Sequence, residues 1–374
     1  MLRGLAALLV VAGHLRALLF VPYGELQAPG LIDRLFYAGT GLGHQAVLAF
    51  FALSGYLVGG KALLDMRRGR FLWSHYLVAR FTRLWVVVLP ALLLTLAWDM
   101  LGFRLGGGEG YAGKWYAAIS AGPSLAQPAD HSLRTLIGNA LFLQTIAVPV
   151  YGSNGPLWSL ANEFWYYMVV PAAAAALMVP QPAWQRVALL IAATLITVSL
   201  PPLILILGSV WVAGAAIRLL GDLQPWHTWL SHTAMLSASA LLVAAGAVVS
   251  KTGRGGIAGD LVLGLGFALM LPGLATLRPF DGIYRLTAVM LSEISLTLYA
   301  THFPLLAMLW YVFMAPARHV PGAIGFAQFT GGLALAIVSA CVLWVCFERH
   351  TLAIRRAVIA ALGLKRDGIG HARL

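Results

Sequence analysis

The sequence predicts an all-α integral membrane protein, a bundle of about ten transmembrane helices with both termini in the cytoplasm. Of its 374 residues, 60% are hydrophobic and only 10% are charged, which excludes an ordinary soluble domain of this length. Its apolar runs are long enough to cross a hydrocarbon core about 30 Å thick. Its basic residues fall mostly on one side of those runs, which indicates the orientation.

Ten apolar segments are candidate membrane spans. The first is better explained as a retained helix than as a signal peptide, because no small-residue cleavage site follows it. The fifth and sixth meet at Pro201 and Pro202, which indicates either a tight hairpin or one broken helix. The segments cover residues 2–22, 44–64, 77–101, 156–180, 185–200, 202–220, 230–250, 257–277, 286–313 and 323–347.

Lysine and arginine set the topology, because basic loops are retained in the cytoplasm. With both termini inside, seventeen of these residues face the cytoplasm and seven face the other side. We therefore expect a multi-pass protein of the inner (plasma) membrane. The net charge of +12 follows from this topology and from contact with anionic membrane lipids, and it does not indicate nucleic-acid binding.

The chain divides into one transmembrane domain over residues 1–350 and a short basic cytoplasmic tail over 351–374. A Gly-rich stretch at 102–135 faces outside and is either a substrate-access loop or a passive tether. We detect no internal repeat, which weakens an interpretation as an inverted-repeat transporter.

The most informative feature is the pair Arg3 and His14 in an otherwise apolar opening helix. Eleven residues return to nearly the same helix face, so the two lie about 16 Å apart along one side. With Arg3 at headgroup level, His14 lies near the bilayer's centre, where an ionisable group indicates function. Arg16 points about 200° away from His14 and is expected to be structural.

Two further arginines, Arg80 and Arg83, lie one turn apart where the third span begins. Guanidinium groups bind phosphate bidentately, so this cluster suits an anionic, nucleotide-containing donor. Anchoring to lipid headgroups is the alternative explanation.

The fourth and ninth spans carry polar groups among aromatic residues. Glu163 follows Ser159 by one turn, and it could orient an imidazole or hold a sugar hydroxyl; an aromatic belt at the membrane interface is the rival interpretation. In the ninth span, Pro304 frees backbone carbonyls near Tyr299 and Ala300. Two other features are expected to be structural, namely a small-residue packing surface at Ser54, Gly55, Gly59 and Gly60, and a local ion pair of Glu348 with Arg349.

In this order, the motifs resemble those of the membrane-bound acyltransferase-3 family, which O-acylates carbohydrates and other extracytoplasmic or secreted acceptors. The matching positions span nearly the whole chain: Arg3 with His14, FFALSGYL at 50–57, Arg80 with Arg83, PLWSLANEFWY at 156–166, LYATHFP at 298–304 and FER at 347–349. Two positions depart from the family pattern, since no Asp-Gly pair precedes Arg3 and no proline follows Glu348.

The resemblance implies acyl-CoA, most often acetyl-CoA, as a cytoplasmic co-substrate rather than a tightly bound cofactor. It also implies that His14 is essential and that Arg3, Arg80 and Arg83 serve the donor. We assign Glu163 a catalytic role beside His14 and expect no metal site. The acceptor is expected to be a carbohydrate or glycolipid, bound by Trp158, Ser159, Tyr166, Tyr299 and His302.

A different class of function is a proton-coupled transporter or flippase for a glycan or lipid-linked substrate. In that case His14, Glu163 and His302 would form a proton relay through the bundle. The clustering of phosphate-suited arginines on one side and the lack of repeat symmetry both disfavour it.

Overall fold

A computed structural model describes residues 1–223, 226–251, 256–277 and 282–364. Within these residues the chain is 78% helical and has no strands, which confirms the predicted all-α membrane architecture. The α-helices are α1 Leu2–Leu19, α2 Leu31–Thr40, α3 Gly43–Ser54, α4 Gly60–Arg67, α5 Trp73–Gly106, α6 Tyr116–Ile119, α7 Leu133–Ala140, α8 Trp158–Met178, α9 Ala183–Ser199, α10 Pro202–Leu220, α11 Trp226–Ser231, α12 Thr233–Lys251, α13 Gly256–Thr276, α14 Ile283–Glu293, α15 Ser295–Phe313, α16 Ala323–Cys346 and α17 Thr351–Ala361.

In the described part of the chain, eight helices are long and apolar enough to cross a membrane. Each of the ten predicted segments is helical, although segment 44–64 comprises α3, a π-helical turn and part of α4, and segment 286–313 is divided between α14 and α15. The two segments that do not reach the length or hydropathy of a span are α8 and the 17-residue α9. Extended backbone at Leu200 and Pro201 separates α9 from α10, and α9 packs on α8 rather than on α10.

Helix α1 lies between two apolar cores. Ala6 and Val10 belong to the core built around α3, α5, α8 and α10, whereas Val11 and Leu15 belong to the core built around α15 and α16. Neighbouring residues of one helix point about 100° apart, so α1 must be surrounded to bury both sets. The predicted functional helix is therefore central to the bundle.

Close helix contacts hold α10 against the segment that follows α3. Residues Gly55–Gly59 form a π-helical turn, and a Cβ on Gly55 would lie 1.9 Å from the carbonyl oxygen of Trp211. A Cβ on Gly59 would lie 2.4 Å from the Trp211 ring. The glycines thus act as the predicted packing surface, because any larger residue would push α10 away.

The segment between α5 and α8 folds as a compact cover at one end of the bundle. Asp99 of α5 is fully buried and accepts hydrogen bonds from His131 Nε2 at 2.8 Å and from Ser153 N at 2.7 Å. Gly152 has a φ of +55°, and a Cβ there would lie 2.3 Å from the Asp99 carboxylate. Hydrogen bonds from Thr135 and from the Ser132 backbone also hold the pKa of Asp130 below its usual value.

The end of the chain forms a further helix after α16. A 3₁₀ turn over Glu348–His350 leads into α17, which packs on α5. The predicted basic tail, residues 351–374, therefore begins as this helix, and its residues 365–374 lie outside the described part of the chain.

Candidate active site

The central feature of the site is a pair of histidines. His14 of α1 and His302 of α15 are separated by 2.8 Å between Nδ1 and Nε2. His302 is 1% exposed, and the edge of Phe303 packs against the His14 ring at 5.0 Å between centroids. The pair joins residues 288 positions apart in the chain.

The neighbours of His302 fix the protonation of both rings. Its Nδ1 lies 2.9 Å from the carbonyl oxygens of Leu298 and Tyr299, which can only accept hydrogen bonds. Nδ1 of His302 must therefore carry the proton, so Nε2 of the neutral ring is an acceptor. His14 then donates from Nδ1, which leaves its Nε2 with a free lone pair.

Pro304 explains why α15 can hold this geometry. A proline has no N–H, so the carbonyl of Ala300, four residues earlier, loses its helical partner. Nδ2 of Asn154 donates to that carbonyl at 2.9 Å. The predicted release of backbone carbonyls by Pro304 is thus confirmed at Ala300, and it ties α15 to the cover between α5 and α8.

A first cavity of about 600 Å³ opens near the N-terminus of α1. We call it the arginine cavity, because Arg3, Arg80, Arg83 and Arg285 line it together with an apolar wall from α3, α13 and α14. The structure thus brings together the three arginines assigned to the donor. Arg285 of α14 is a fourth arginine, which was not among the residues predicted for the donor.

The arginines of this cavity differ in their partners. Arg83 pairs with Glu348 at 3.4 Å between Nη2 and Oε1, and Glu348 also accepts a hydrogen bond from Thr297 Oγ1 at 2.5 Å. Arg80 lies over the Tyr76 and Tyr167 rings at 6.0 and 5.6 Å, and its Nε has no hydrogen-bond partner. Among the described residues, neither Arg3 nor Arg80 forms an ion pair, so both remain available for an anion.

The contacts of Glu348 correct one expectation. Glu348 is 4% exposed and reaches α5 and α15, rather than pairing with Arg349. Side chains of adjacent residues diverge, and the turn after α16 directs Glu348 inward. The FER motif therefore fixes Arg83 in the cavity wall.

Glu163 lies in the arginine cavity and does not contact His14. It accepts hydrogen bonds from Ser54 Oγ at 2.5 Å and from the Tyr167 hydroxyl. Trp211 Nε1 in turn donates to Ser54 at 3.2 Å. The residue that contacts His14 is His302, and Glu163 instead joins α8 to the end of α3.

A second cavity of about 750 Å³ opens at the opposite end of α1. We call it the histidine cavity, because His14 lines it. No described residue bonds to Nε2 of His14, so the free lone pair is available to a molecule in this cavity. Trp158, α6 and the residues up to Gly122 form part of its wall. Arg16, which was expected to point away from His14, also lines this cavity, because the cavity extends around the end of α1.

The two cavities meet at a thin wall, because Val47 and Tyr299 line both. The Tyr299 hydroxyl lies 2.6 Å from Ser159 Oγ and donates to the carbonyl oxygen of Pro156 at 2.9 Å. The Tyr299 ring packs edge-on against Phe50 at 5.9 Å. This hydrogen-bonded side chain separates the arginines from His14.

The residues assigned to the acceptor are thus divided. Trp158 and Tyr299 line the histidine cavity, whereas Ser159 lines the arginine cavity at the shared wall. His302 lines neither cavity and contacts His14. Tyr166 also lines neither cavity, and its hydroxyl donates to Ile204 O at 2.6 Å.

The described residues contain no group of three or more His, Cys, Asp or Glu side chains that could hold a metal ion. The chemistry available at the site is that of a neutral imidazole base that lines one cavity, with a cluster of arginines in the neighbouring cavity. Such an arrangement suits proton removal from a hydroxyl.

Comparison with known proteins identifies the family of the chain. A family model described as an acyltransferase domain, of the acyltransferase 3 family, matches residues 1–345. No curated protein and no solved structure matches the chain. Since the family model covers most of the 374 residues, the chain belongs to the acyltransferase 3 family and is a membrane acyltransferase.

Proposed function

We propose that the protein transfers an acyl group, most simply acetyl, from cytoplasmic acyl-CoA to a hydroxyl of a saccharide or another extracytoplasmic acceptor. The observation that carries the proposal is the free Nε2 of His14, which His302 holds in the histidine cavity, next to the arginine cavity. In this proposal the protein is a multi-pass protein of the inner membrane, and the arginine cavity opens to the cytoplasm.

The arginine cavity suits the nucleotide end of the donor. Arg3 and Arg80 have no ion-pair partner among the described residues, and guanidinium groups bind phosphates through paired hydrogen bonds. The apolar wall beyond them, which includes Phe50 and Leu296, suits an acyl-pantetheine arm. Arg3 and His14 are about 16 Å apart along α1, which an extended pantetheine arm can span.

In the transfer step, Nε2 of His14 removes the proton from the acceptor hydroxyl as its oxygen attacks the thioester carbonyl carbon. The resulting tetrahedral intermediate collapses when the carbon–sulfur bond breaks, and the ester remains on the acceptor. His14 then returns its proton to the departing thiolate, so that CoA leaves as a thiol. His302 acts as a positioning residue, because its acceptor nitrogen keeps the His14 lone pair on Nε2.

The Tyr299 side chain stands between the two substrates in this proposal. The thioester reaches the wall from one cavity and the hydroxyl reaches it from the other, so Tyr299 must move or lie beside both reacting groups. The Trp158 ring in the histidine cavity offers an apolar face on which a sugar ring can stack.

The test uses the full-length protein in lipid nanodiscs. His14→Ala is expected to lower transfer of labelled acetyl from acetyl-CoA to cell-envelope glycans by about 10²-fold or more, because a general base contributes that much. Acetyl-CoA affinity, measured by calorimetry, should stay within about twofold, since His14 does not line the arginine cavity.

Arg80→Gln is expected to weaken acetyl-CoA binding about tenfold, the usual effect of losing one charge-assisted contact. Arg67→Gln is the matched control, because Arg67 pairs with Asp222 and does not line the arginine cavity. Normal transfer by the His14 variant would refute the mechanism. Substrate flux driven by a pH gradient without any CoA would instead support a transporter.

A further inference from the structure

The histidine cavity holds positive charge that no carboxylate in its wall neutralises. Arg16 and Arg318 line it with His14 and His44, and none of its lining residues is an Asp or a Glu. His44 contacts Asp260, at 2.8 Å between Nε2 and Oδ2. Within the described part of the chain, neither arginine forms an ion pair.

Arg16 is held in the cavity wall, but its guanidinium group has an N–H without a hydrogen-bond acceptor. Its Cζ lies 5.2 Å from the centroid of the Tyr37 ring, and the Tyr37 hydroxyl is engaged with Val21 O at 2.6 Å. The Nε atom of Arg16 is buried and has no hydrogen-bond partner. A buried guanidinium N–H without an acceptor costs free energy, which a bound anion would recover.

Arg318 comes to the same cavity from the loop between α15 and α16. It donates one hydrogen bond from Nη1 to Ala118 O at 3.1 Å. The next residue binds the end of α1, since His319 N donates to Leu19 O at 2.7 Å and Val21 N donates to His319 O at 3.0 Å. Both arginines are therefore held in place by independent contacts, and Arg318 keeps most of its N–H groups for a ligand.

The acidic residues near this end of α1 do not neutralise the positive charge of the cavity wall. Glu25 and Asp33 act electrostatically on Tyr37, but neither lines the histidine cavity or pairs with an arginine in the described structure. Asp33 accepts a hydrogen bond from Gly30 N at 2.9 Å, at the start of α2. The charge of the cavity wall remains positive.

We propose that Arg16 and Arg318 bind an anionic group of the acceptor, a carboxylate or a phosphate, while a hydroxyl of the same molecule lies at His14. This inference rests on the proposed acyl transfer. Arg16 follows His14 by two residues and points about 200° away from it, so the anion and the hydroxyl occupy different walls of one cavity.

The experiment compares charged and neutral probes that share a skeleton. Binding to the full-length protein in nanodiscs is measured for tetragalacturonate against its methyl ester, and for mannose 6-phosphate against mannose. The charged member of at least one pair should bind about tenfold more tightly, and the pair that responds identifies the anion as carboxylate or phosphate. Equal binding within both pairs overturns the inference.

Arginine variants test whether the preference for the charged probe arises in the histidine cavity. Arg16→Gln and Arg318→Gln should each reduce the charge preference about tenfold, whereas Arg104→Gln, at an exposed arginine outside the cavity, should leave it unchanged. Persistence of the preference in both cavity variants overturns the inference. Acetyl-CoA affinity measured on the same samples verifies folding, and His14-dependent transfer is measured separately, so failure of the catalytic proposal is distinguishable from failure of this one.

Discussion

Replacing His302 tests whether the partner of His14, rather than His14 alone, sets the reactivity of the site. His302→Leu removes the hydrogen bond of His14 Nδ1, which spans 2.8 Å in the native protein. An unpaired donor in a buried site costs about 1–3 kcal/mol, so the ring gains by turning over or by moving its proton to Nε2. Either change removes the lone pair from the histidine cavity.

A cost of about 1.4–2.8 kcal/mol corresponds to a loss of about 10–100-fold in the fraction of correctly arranged His14. We therefore expect kcat for acetyl transfer to fall by that factor in His302→Leu. KM for acetyl-CoA should change less than about twofold, because His302 does not line the arginine cavity.

His302→Gln provides the matched variant. The amide oxygen of glutamine can occupy nearly the position of the histidine Nε2 and accept from Nδ1 of His14. It should recover at least part of the lost kcat, which a purely structural role of His302 would not predict. Equal kcat in the native protein and in His302→Leu, or equal losses in the leucine and glutamine variants, would refute the reasoning.

Two predictions concern the scaffold of the site. Gly55→Ala should destabilise the protein by about 3 kcal/mol or more, because the new Cβ would lie 1.9 Å from the carbonyl oxygen of Trp211. Gly39→Ala is the control, because a Cβ at Gly39 would have no neighbouring atom within 4 Å. It should change stability by less than about 1 kcal/mol in the same denaturation assay in detergent. Asp99→Asn should speed protease cleavage between residues 107 and 132, because an amide leaves at least one of the donors that bind the Asp99 carboxylate without an acceptor, which costs about 1–3 kcal/mol of stability. Glu109→Gln alters an exposed ion pair and should be cleaved at the native rate.

The spans and the family could be predicted from the sequence because both depend on local patterns. Hydropathy over about 20 residues sets a span, and Arg3 and His14 lie on one helix whose geometry is known. The pairing of His14 with His302 could not be predicted in this way, because nothing in the spacing of the two residues specifies that α1 and α15 are neighbours. The LYATHFP motif offered a signal, but it indicated only a polar kink.

Electrostatic partners were harder to predict than positions. Glu348 was expected to pair with its neighbour in the chain, yet it reaches Arg83 across the bundle. Glu163 was expected beside His14, yet its hydrogen bonds go to Ser54 and Tyr167. In both cases the residue type and depth indicated a buried polar contact, whereas the choice of partner depended on tertiary packing.

In the orientation proposed above, the wall at Tyr299 also sets how the membrane voltage is distributed. A cavity filled with water or ligand conducts charge far better than packed helices, so most of the potential drop falls across the short region that separates the two cavities. The full drop is worth about 2.3 kcal/mol per elementary charge per 100 mV. His14 lines the histidine cavity, so a proton that left it toward the arginine cavity would cross a steeper field than one released into the histidine cavity. Under the proposed mechanism, the direction in which the catalytic proton departs is therefore coupled to the energised state of the membrane.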